Sequence, residues 1–358
     1  MQSFQPNNLS FIFLDNKMSI YIENQIIELH GPRNLIVKKY PLDIGNLKDN
    51  EVAAETLYSA ISPGTEVAAY RGDPPLRPGE TYPRVVGYCN VAEVIDKGNS
   101  VSTYEIGDRI LTFQSHRSAF VCSEESIIIN LPNNVDLMEA STTYLFHLGY
   151  NALLRGNFKP GHNVAIVGLG TLGLTAVALT SAFGANVYAF SNQSTSLELA
   201  KEFGSRKTFK KNNQNALKVI NQDTASTGID IVVNTSNSWK DWKLAISLPR
   251  KGGKICVLGF PGRTGSNPDF NPLDSQFFYD NQLTLVACGY SPDHIIDAHD
   301  VRFTVKRNCR FILDLIVGKK LPASHIISSV FDWCDIQKAY EAIAERKIFY
   351  LTGILKWK

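Results

Sequence analysis

Short apolar runs separated by Gly and Pro fill the first third of the chain. From Gln25 to Tyr40 they break at Gly31-Pro32, which predicts a hairpin. Val52 to Ser62 and Val85 to Asp96 are strand-like, and Pro63-Gly64 and the loop Arg71-Gly72-Asp73-Pro74-Pro75 separate them. Many short strands punctuated in this way predict a β-rich first domain. Residues 1–22 are polar and irregular, with an apolar patch at Phe11 to Leu14, and read as a loosely attached extension.

Near residue 140 the pattern changes. Asn163–Val167, Asn186–Phe190, Ile229–Asn234, Lys254–Phe260 and Gln282–Cys288 read as strands alternating with helices. That alternation predicts a parallel sheet covered on both faces. After about residue 300 come a helix (Phe303 to Gly318), a strand (His325–Val330), a helix (Asp335–Glu345) and a closing strand (Leu351–Trp357). In the last helix Ile336, Ala339, Tyr340 and Ile343 recur at helical spacing. This tail has no room to extend the parallel sheet and is expected to return to the first domain.

Between the first of the later strands and the apolar helix from Leu174 to Phe183 stands Gly168-Leu169-Gly170-Thr171-Leu172-Gly173. A glycine motif of this spacing between strand and helix is a dinucleotide fingerprint. Gly168 permits the tight turn, Gly170 lets a pyrophosphate approach the backbone, and Gly173 lets helix and strand pack closely. The helix N-terminus then offers free N–H groups and positive potential to the phosphates. Thr171 and Leu172 supply part of that turn. About 20 residues on, an acid usually bonds the ribose 2′-OH of NAD. Here Ser191 and Asn192 stand at that place, followed by Ser194. No carboxylate would repel a 2′-phosphate, so NADP(H) is favoured over NAD(H). The nearest bases are Lys201, Lys210 and Lys211. Helix capping is the competing reading of Ser194 and Ser196.

Composition narrows the class without naming a substrate. The 358 residues suffice for two domains, and 44% hydrophobic with 20% charged residues is ordinary for a globular protein. A net charge of +2 gives no argument for nucleic acid or a membrane surface. No apolar stretch is long enough to span a bilayer, and the N-terminus lacks a signal-peptide pattern. Six scattered cysteines with no CxxC pair read as reduced thiols in a cytoplasmic protein.

The chain resembles the medium-chain dehydrogenases/reductases. The resemblance rests on Gly64-Thr65-Glu66, Tyr70-Arg71-Gly72, Val86-Gly87, Gly107-Asp108-Arg109-Ile110, Lys159-Pro160-Gly161, the glycine motif, Gly252-Gly253-Lys254 to Gly259, and the Ala339-Tyr340 helix. It covers roughly residues 25–358. It implies an α/β protein with a GroES-like β-rich catalytic domain over 23–150 and a Rossmann doubly wound domain over 151–298. Residues 299–358 then return to the catalytic domain, with the cofactor in the cleft. It also implies a homodimer through the Rossmann domains, for which the apolar edge segment Gln282–Cys288 is a fitting surface.

Where zinc members of that family hold ligands, this chain has Pro63, Tyr88 and a residue near Tyr144. Proline offers a metal no donor and neutral tyrosine is a poor zinc ligand. The four-cysteine structural lobe is missing, since only Cys122 falls between Asp108 and Glu124. The expectation is a zinc-independent member; an unconventional site on Cys89, His116 or His147 is the alternative. Without zinc, hydrogen-bond donors must stabilise the oxyanion and supply the proton. The resemblance places Thr65 at the relaying hydroxyl and points Tyr88 and Tyr144 toward the vacated metal site, with packing as the competing reading. His147, one turn after Tyr144, reads either as a satisfied buried histidine or as a member of the site. His116 reads as a cleft loop residue or a surface histidine, and Glu66 as structural, paired with Arg. The function expected is hydride exchange between nicotinamide and an alcohol or carbonyl. Alternatives are reduction of a polarised C=C or C=N bond, or a non-catalytic nucleotide-binding protein.

Overall fold

The computed structural model describes residues 9–14, 17–73, 81–262, 267–289, 291–292, 303–345 and 349–358, with side chains from residue 20 onward. In chain order the first elements are β1 (Leu9–Leu14), β2 (Lys17–Gly31), β3 (Asn34–Asp43), β4 (Glu51–Ala60), α1 (Thr65–Arg71), β5 (Arg84–Val85), β6 (Asn90–Lys97), β7 (Arg109–Thr112), β8 (Ala119–Ser123), β9 (Ile129–Asn130) and α2 (Leu137–Ser141). Then follow α3 (Thr143–Arg155), β10 (Asn163–Val167), α4 (Thr171–Ala182), β11 (Asn186–Phe190), α5 (Ser194–Glu202), β12 (Lys207–Phe209), α6 (Ala216–Asp223), β13 (Ile229–Asn234), α7 (Trp239–Ser247), β14 (Pro249–Val257), β15 (Thr284–Ala287) and α8 (Val305–Val317). The chain closes with β16 (Ile327–Asp332), α9 (Ile336–Glu345) and β17 (Thr352–Lys356). It folds as two units: Met1–Gly72 with Arg77–Thr142 and Ile327–Lys358, and Asp73–Leu76 with Thr143–Ile326.

The first unit holds two β-sheets. One runs β1-β2-β3, antiparallel, with β5 on β2; the other runs β16-β17-β4-β6-β7-β9, with β8 also on β4. The hairpin at Gly31-Pro32 forms as the sequence indicated, Gly31 pairing with Asn34. The first 22 residues depart from expectation. β1 pairs with β2 from Leu9↔Ile22 to Leu14↔Lys17. The extended strand continues back from the hairpin because Ser19-Ile20-Tyr21-Ile22 keeps a strand pattern that polar neighbours disguise. The core is mostly aliphatic, with Val52, Ala54, Ala92, Val94 and Ile110 buried around Phe120. Closing the sheet, Ile354, Leu355 and Lys356 pair with Ala60, Ser59 and Tyr58, so the chain's end lies beside β4.

The second unit is a six-stranded parallel sheet in the order β12-β11-β10-β13-β14-β15. This is the doubly wound order in which the strand sequence reverses beside β10, creating a ligand crevice at the carboxyl ends. Every residue of β10 is buried, and each buried Val or Ile there contributes about 1.5–3 kcal/mol. Two boundaries differ from the reading. β14 starts at Pro249 and stops at Val257, since Gly259 packs against the Thr235 backbone rather than extending the strand. His325 lies in a short 3-10 turn before β16, because Pro322 accepts its N–H.

Candidate active site

In the second unit, β10 delivers the chain into the glycine turn. Gly168 has φ +92°, a conformation that favours glycine. A Cβ on Gly173 would lie 1.8 Å from the Gly168 carbonyl oxygen, so α4 sits directly on the turn. At Gly170 nothing lies within 4 Å of an added Cβ, which leaves the backbone open to a ligand. The first turn of α4, formed by Thr171, Leu172 and Gly173, has no side-chain cap. Thr171 is buried and its Oγ1 has no hydrogen-bond partner. A buried orphan hydroxyl at an uncapped helix N-terminus fits a phosphate oxygen. The turn is braced by Thr235 Oγ1, which donates to the Gly168 carbonyl at 2.7 Å.

At the carboxyl end of β11, Ser191 is buried and its Oγ accepts the Gln193 N–H at 3.1 Å. Asn192 and Ser194 are exposed. The capping alternative for Ser194 and Ser196 does not hold, because Gln193 is the N-cap and no side chain caps α5. Instead Lys210 Nζ donates to the Asn192 carbonyl at 2.7 Å and to Ser194 Oγ at 3.1 Å. The parallel register Phe190↔Phe209 brings it there. Lys211 is neutralised by Asp241 at 2.6 Å. Among the described residues, no carboxylate pairs with Lys210.

In the first unit, Thr65 opens α1 and Tyr88 precedes β6, and the structure brings them together. The Thr65 and Ser62 side chains lie beside the Tyr88 phenol and favour its ionised form. Burial, then the charge of Glu66, pushes the Tyr88 phenol well above its ordinary value. Glu66, 4% exposed, receives three donors. Ser62 N–H reaches its Oε1 at 2.8 Å, His116 Nε2 its Oε2 at 3.0 Å, and the Tyr340 hydroxyl also donates to Oε2. A buried carboxylate is tolerated only with such partners. The expected arginine is not among them. His116 lies on the loop between β7 and β8, but the surface reading is corrected: it is fully buried, with Nδ1 2.8 Å from Ser59 Oγ. Trp357 Nε1 donates to the same Ser59 oxygen at 2.9 Å. Sequence reasoning missed Ser62, the Tyr340 contact and the position of Lys210. Of these only Ser62, adjoining Pro63-Gly64-Thr65, carried a local signal.

On the second unit, Tyr144 and His147 stack one turn apart on α3, with centroids 5.2 Å apart and planes at 15°. Tyr144 is half-buried and His147 fully buried. Burial pulls the His147 imidazole down to about 4.

The positions where a metal would be held do not fit catalytic zinc. Pro63 has no side-chain donor atom, and the Tyr88 phenol, pushed well above its ordinary value by burial, is a poor zinc ligand. Both ring nitrogens of His116 are committed to Ser59 and Glu66. Among the described residues no three His, Cys, Asp or Glu side chains converge as a metal site.

A doubly wound sheet with an open glycine turn, in a chain that also folds a separate β-rich unit, is the framework of a dinucleotide-binding oxidoreductase of the two-domain α/β class. Residues 171–300 match the family described as zinc-binding dehydrogenase. Sorbitol dehydrogenase of Bacillus subtilis (strain 168) is 24% identical over 288 residues, 72% of this chain and 79% of that protein. An uncharacterised zinc-type alcohol dehydrogenase-like protein of Escherichia coli (strain K12) is 22% identical over 365 residues, 92% of this chain and 97% of its own. The crystal structure of a putative zinc-binding dehydrogenase from Sinorhizobium meliloti 1021, bound to NADP, superposes with a TM-score of 0.73 at 17% identity. It covers 93% of this chain and 99% of that one. These likenesses are to dehydrogenases of the medium-chain dehydrogenase/reductase type.

Proposed function

We propose that this protein is a zinc-independent, NADP(H)-dependent oxidoreductase that interconverts an alcohol and a carbonyl compound. One observation carries the reading. The position that would hold a metal ligand carries instead the Tyr88 phenol, with Thr65 and Ser62 beside it and the buried Glu66 held by Ser62 N–H, His116 and Tyr340. Residues 168–173 would hold the pyrophosphate. Ser191, Asn192 and Ser194, with Lys210, would hold the ribose phosphate. The absence of an acid at the end of β11 and the unpaired cation of Lys210 both support the phosphorylated cofactor.

When bound, the nicotinamide supplies or accepts the hydride at the substrate carbon. The protein's part is the oxygen: Tyr88 donates to it and releases a proton to the developing alkoxide. Thr65 and Ser62, beside the phenol, stabilise the phenolate until a proton from solvent restores it, so the oxyanion is stabilised by hydroxyls in place of a metal. Tyr144 is the alternative donor. His147, held at about 4, is neutral near pH 7 and is a poor acid there.

Oxidation of NADPH across a panel of ketones, aldehydes, enones and imines tests the reading. Turnover of ketones or aldehydes supports it. Turnover confined to enones or imines would support reduction of a C=C or C=N bond by the same residues. Tight NADPH binding without turnover of any member would support a nucleotide-binding protein. We further propose a homodimer through β15, an edge strand whose outer N–H and C=O groups a two-fold partner would cover. Light scattering at micromolar concentration would show a monomer if this is wrong. Among the described residues no helix is long and apolar enough to cross a membrane. The free cysteines fit the reducing cytoplasm we propose as its location.

A further inference from the structure

His147 is the centre of a buried polar cluster in the second unit. Its Nε2 lies 3.0 Å from Ser291 Oγ. Ser291, 2% exposed, follows β15 on the carboxyl-end side of the parallel sheet, where ligands of such sheets bind. The serine hydroxyl has one proton, and it goes to Asn151 Oδ1 at 3.0 Å. Ser291 Oγ in turn accepts from Asn308 Nδ2 at 3.1 Å. That amide's orientation is set independently, because Nδ2 also donates to the Phe303 carbonyl at 3.0 Å.

With the serine proton spent, the imidazole must be the donor in its contact with Ser291. Nε2 therefore carries the hydrogen and Nδ1 is bare. Among the described residues Nδ1 is indeed a buried atom without a partner. The ring is thus neutral, and its only N–H is committed. On its face it carries the Tyr144 ring, 5.2 Å away and nearly parallel.

We infer that His147 is a positioning residue: its Nε2–H pins Ser291 and its ring face fixes the phenol of Tyr144. A tyrosine on α3 and a segment at the sheet's carboxyl end are thereby tied to one buried ring. In its kinetic part this rests on the alternative within the proposed function in which Tyr144 is the donor to the substrate oxygen. It assigns His147 a role that requires no proton transfer, and it brings Ser291, Asn151 and Asn308 into the functional set.

Two kinds of measurement test it on the full chain. Long-range nitrogen–proton NMR of the wild type is expected to show the Nε2–H tautomer of His147, with no titration between about pH 5 and 8. An Nδ1–H tautomer, or a midpoint near the ordinary histidine value, overturns the assignment. This arm needs no substrate, so it stands if the proposed activity fails. Kinetically, His147→Gln keeps an N–H donor but cannot act as an acid near neutral pH, and His147→Leu removes the donor. Misplaced reacting groups cost on the order of a hundredfold in turnover. His147→Leu is expected to lose kcat on that scale with little change in the KM for NADPH. His147→Gln is expected to recover most of that loss. Equal loss in both variants overturns the inference and makes the ring a proton carrier. A fluorotyrosine at position 144 adds a check on packing: its fluorine resonance is expected to move in His147→Leu, and an unmoved resonance overturns the stacking role.

Discussion

Gly87 and His116 fill one space. A Cβ on Gly87 would lie 2.6 Å from the His116 backbone nitrogen and 2.7 Å from its Cγ, and Gly87 has φ +96°. The absent side chain lets the buried histidine sit between Ser59 and Glu66. The residue that follows Gly87 is Tyr88, so the same glycine sets where the phenol starts. Gly87→Ala is therefore expected to cost on the order of 2–4 kcal/mol, from strain at positive φ and overpacking against backbone. Denaturant unfolding of the variant checks this, and a loss under about 0.5 kcal/mol would mean the frame gives way easily.

Elemental analysis of the purified protein is expected to find no stoichiometric zinc, and chelators are expected to leave turnover unchanged. Pro63 without a side-chain donor atom and a Tyr88 phenol pushed well above its ordinary value are the reasons. About one zinc per chain, with activity lost on chelation, would reject the reading.

NADPH is expected to bind more tightly than NADH. Lys210→Met is expected to weaken NADPH binding on the order of tenfold and leave NADH nearly unaffected, because its ammonium is a charge partner only for the 2′-phosphate. Asn192→Asp is expected to reverse the preference, since a carboxylate repels the phosphate and accepts from a 2′-OH. Fluorescence titration measures both. Equal affinities in the wild type would count against the assignment.

The parallel sheet was legible because its signals are local. Asn163–Val167 is one apolar run, and Gly168, Gly170 and Gly173 have fixed spacing. β10 and α4 follow directly from them. The missing acid near Asn192 was visible for the same reason. Lys210, 18 residues past Asn192, was not singled out, since only the register of β11 on β12 carries it to Asn192. The frame under Tyr88 was illegible for a related reason. Glu66, His116 and Tyr340 are separated by 50 and 274 positions, and nothing in their own neighbourhoods says that one carboxylate collects the others. A histidine between Ser115 and Arg117 reads as solvated until β4 is seen supplying Ser59. Burial that arises from sheet closure leaves no period in the sequence.

The His147 imidazole also predicts a pH dependence of stability. Its ordinary value is 6.5 and burial lowers it to about 4. Between these values the unfolded chain holds the proton and the native protein does not. Stability is thus fully present above about pH 6.5 and falls as pH drops toward 4. A gap of about 2.5 units at about 1.4 kcal/mol each makes the loss on the order of 3 kcal/mol. His147→Gln cannot titrate there, so its stability is expected to fall less over this range than the wild type's. Parallel slopes in denaturant unfolding from about pH 7 to 4 would contradict the buried neutral ring.

The last prediction separates packing from chemistry at the two tyrosines. Tyr88 sits among Ser62, Thr65 and the charge of Glu66; Tyr144 lies flat on His147. Tyr→Phe keeps each ring and removes only the hydroxyl, so the stack on His147 and the fill beneath Glu66 are nearly unchanged. Losing one preorganised donor typically costs on the order of a hundredfold in turnover. Tyr88→Phe is expected to lower kcat on that scale with cofactor affinity intact, because it removes the proposed donor to the substrate oxygen and leaves the glycine turn untouched. Tyr144→Phe is expected to do the same only if it is the donor to the substrate oxygen, so the pair of variants assigns the proton. Thr65→Val is expected to act more mildly, since Ser62 remains beside the phenol. Full activity in all three variants would make both tyrosines packing. The proton would then have to come from solvent, because neither His116, held between Ser59 and Glu66, nor neutral His147 is placed to give one.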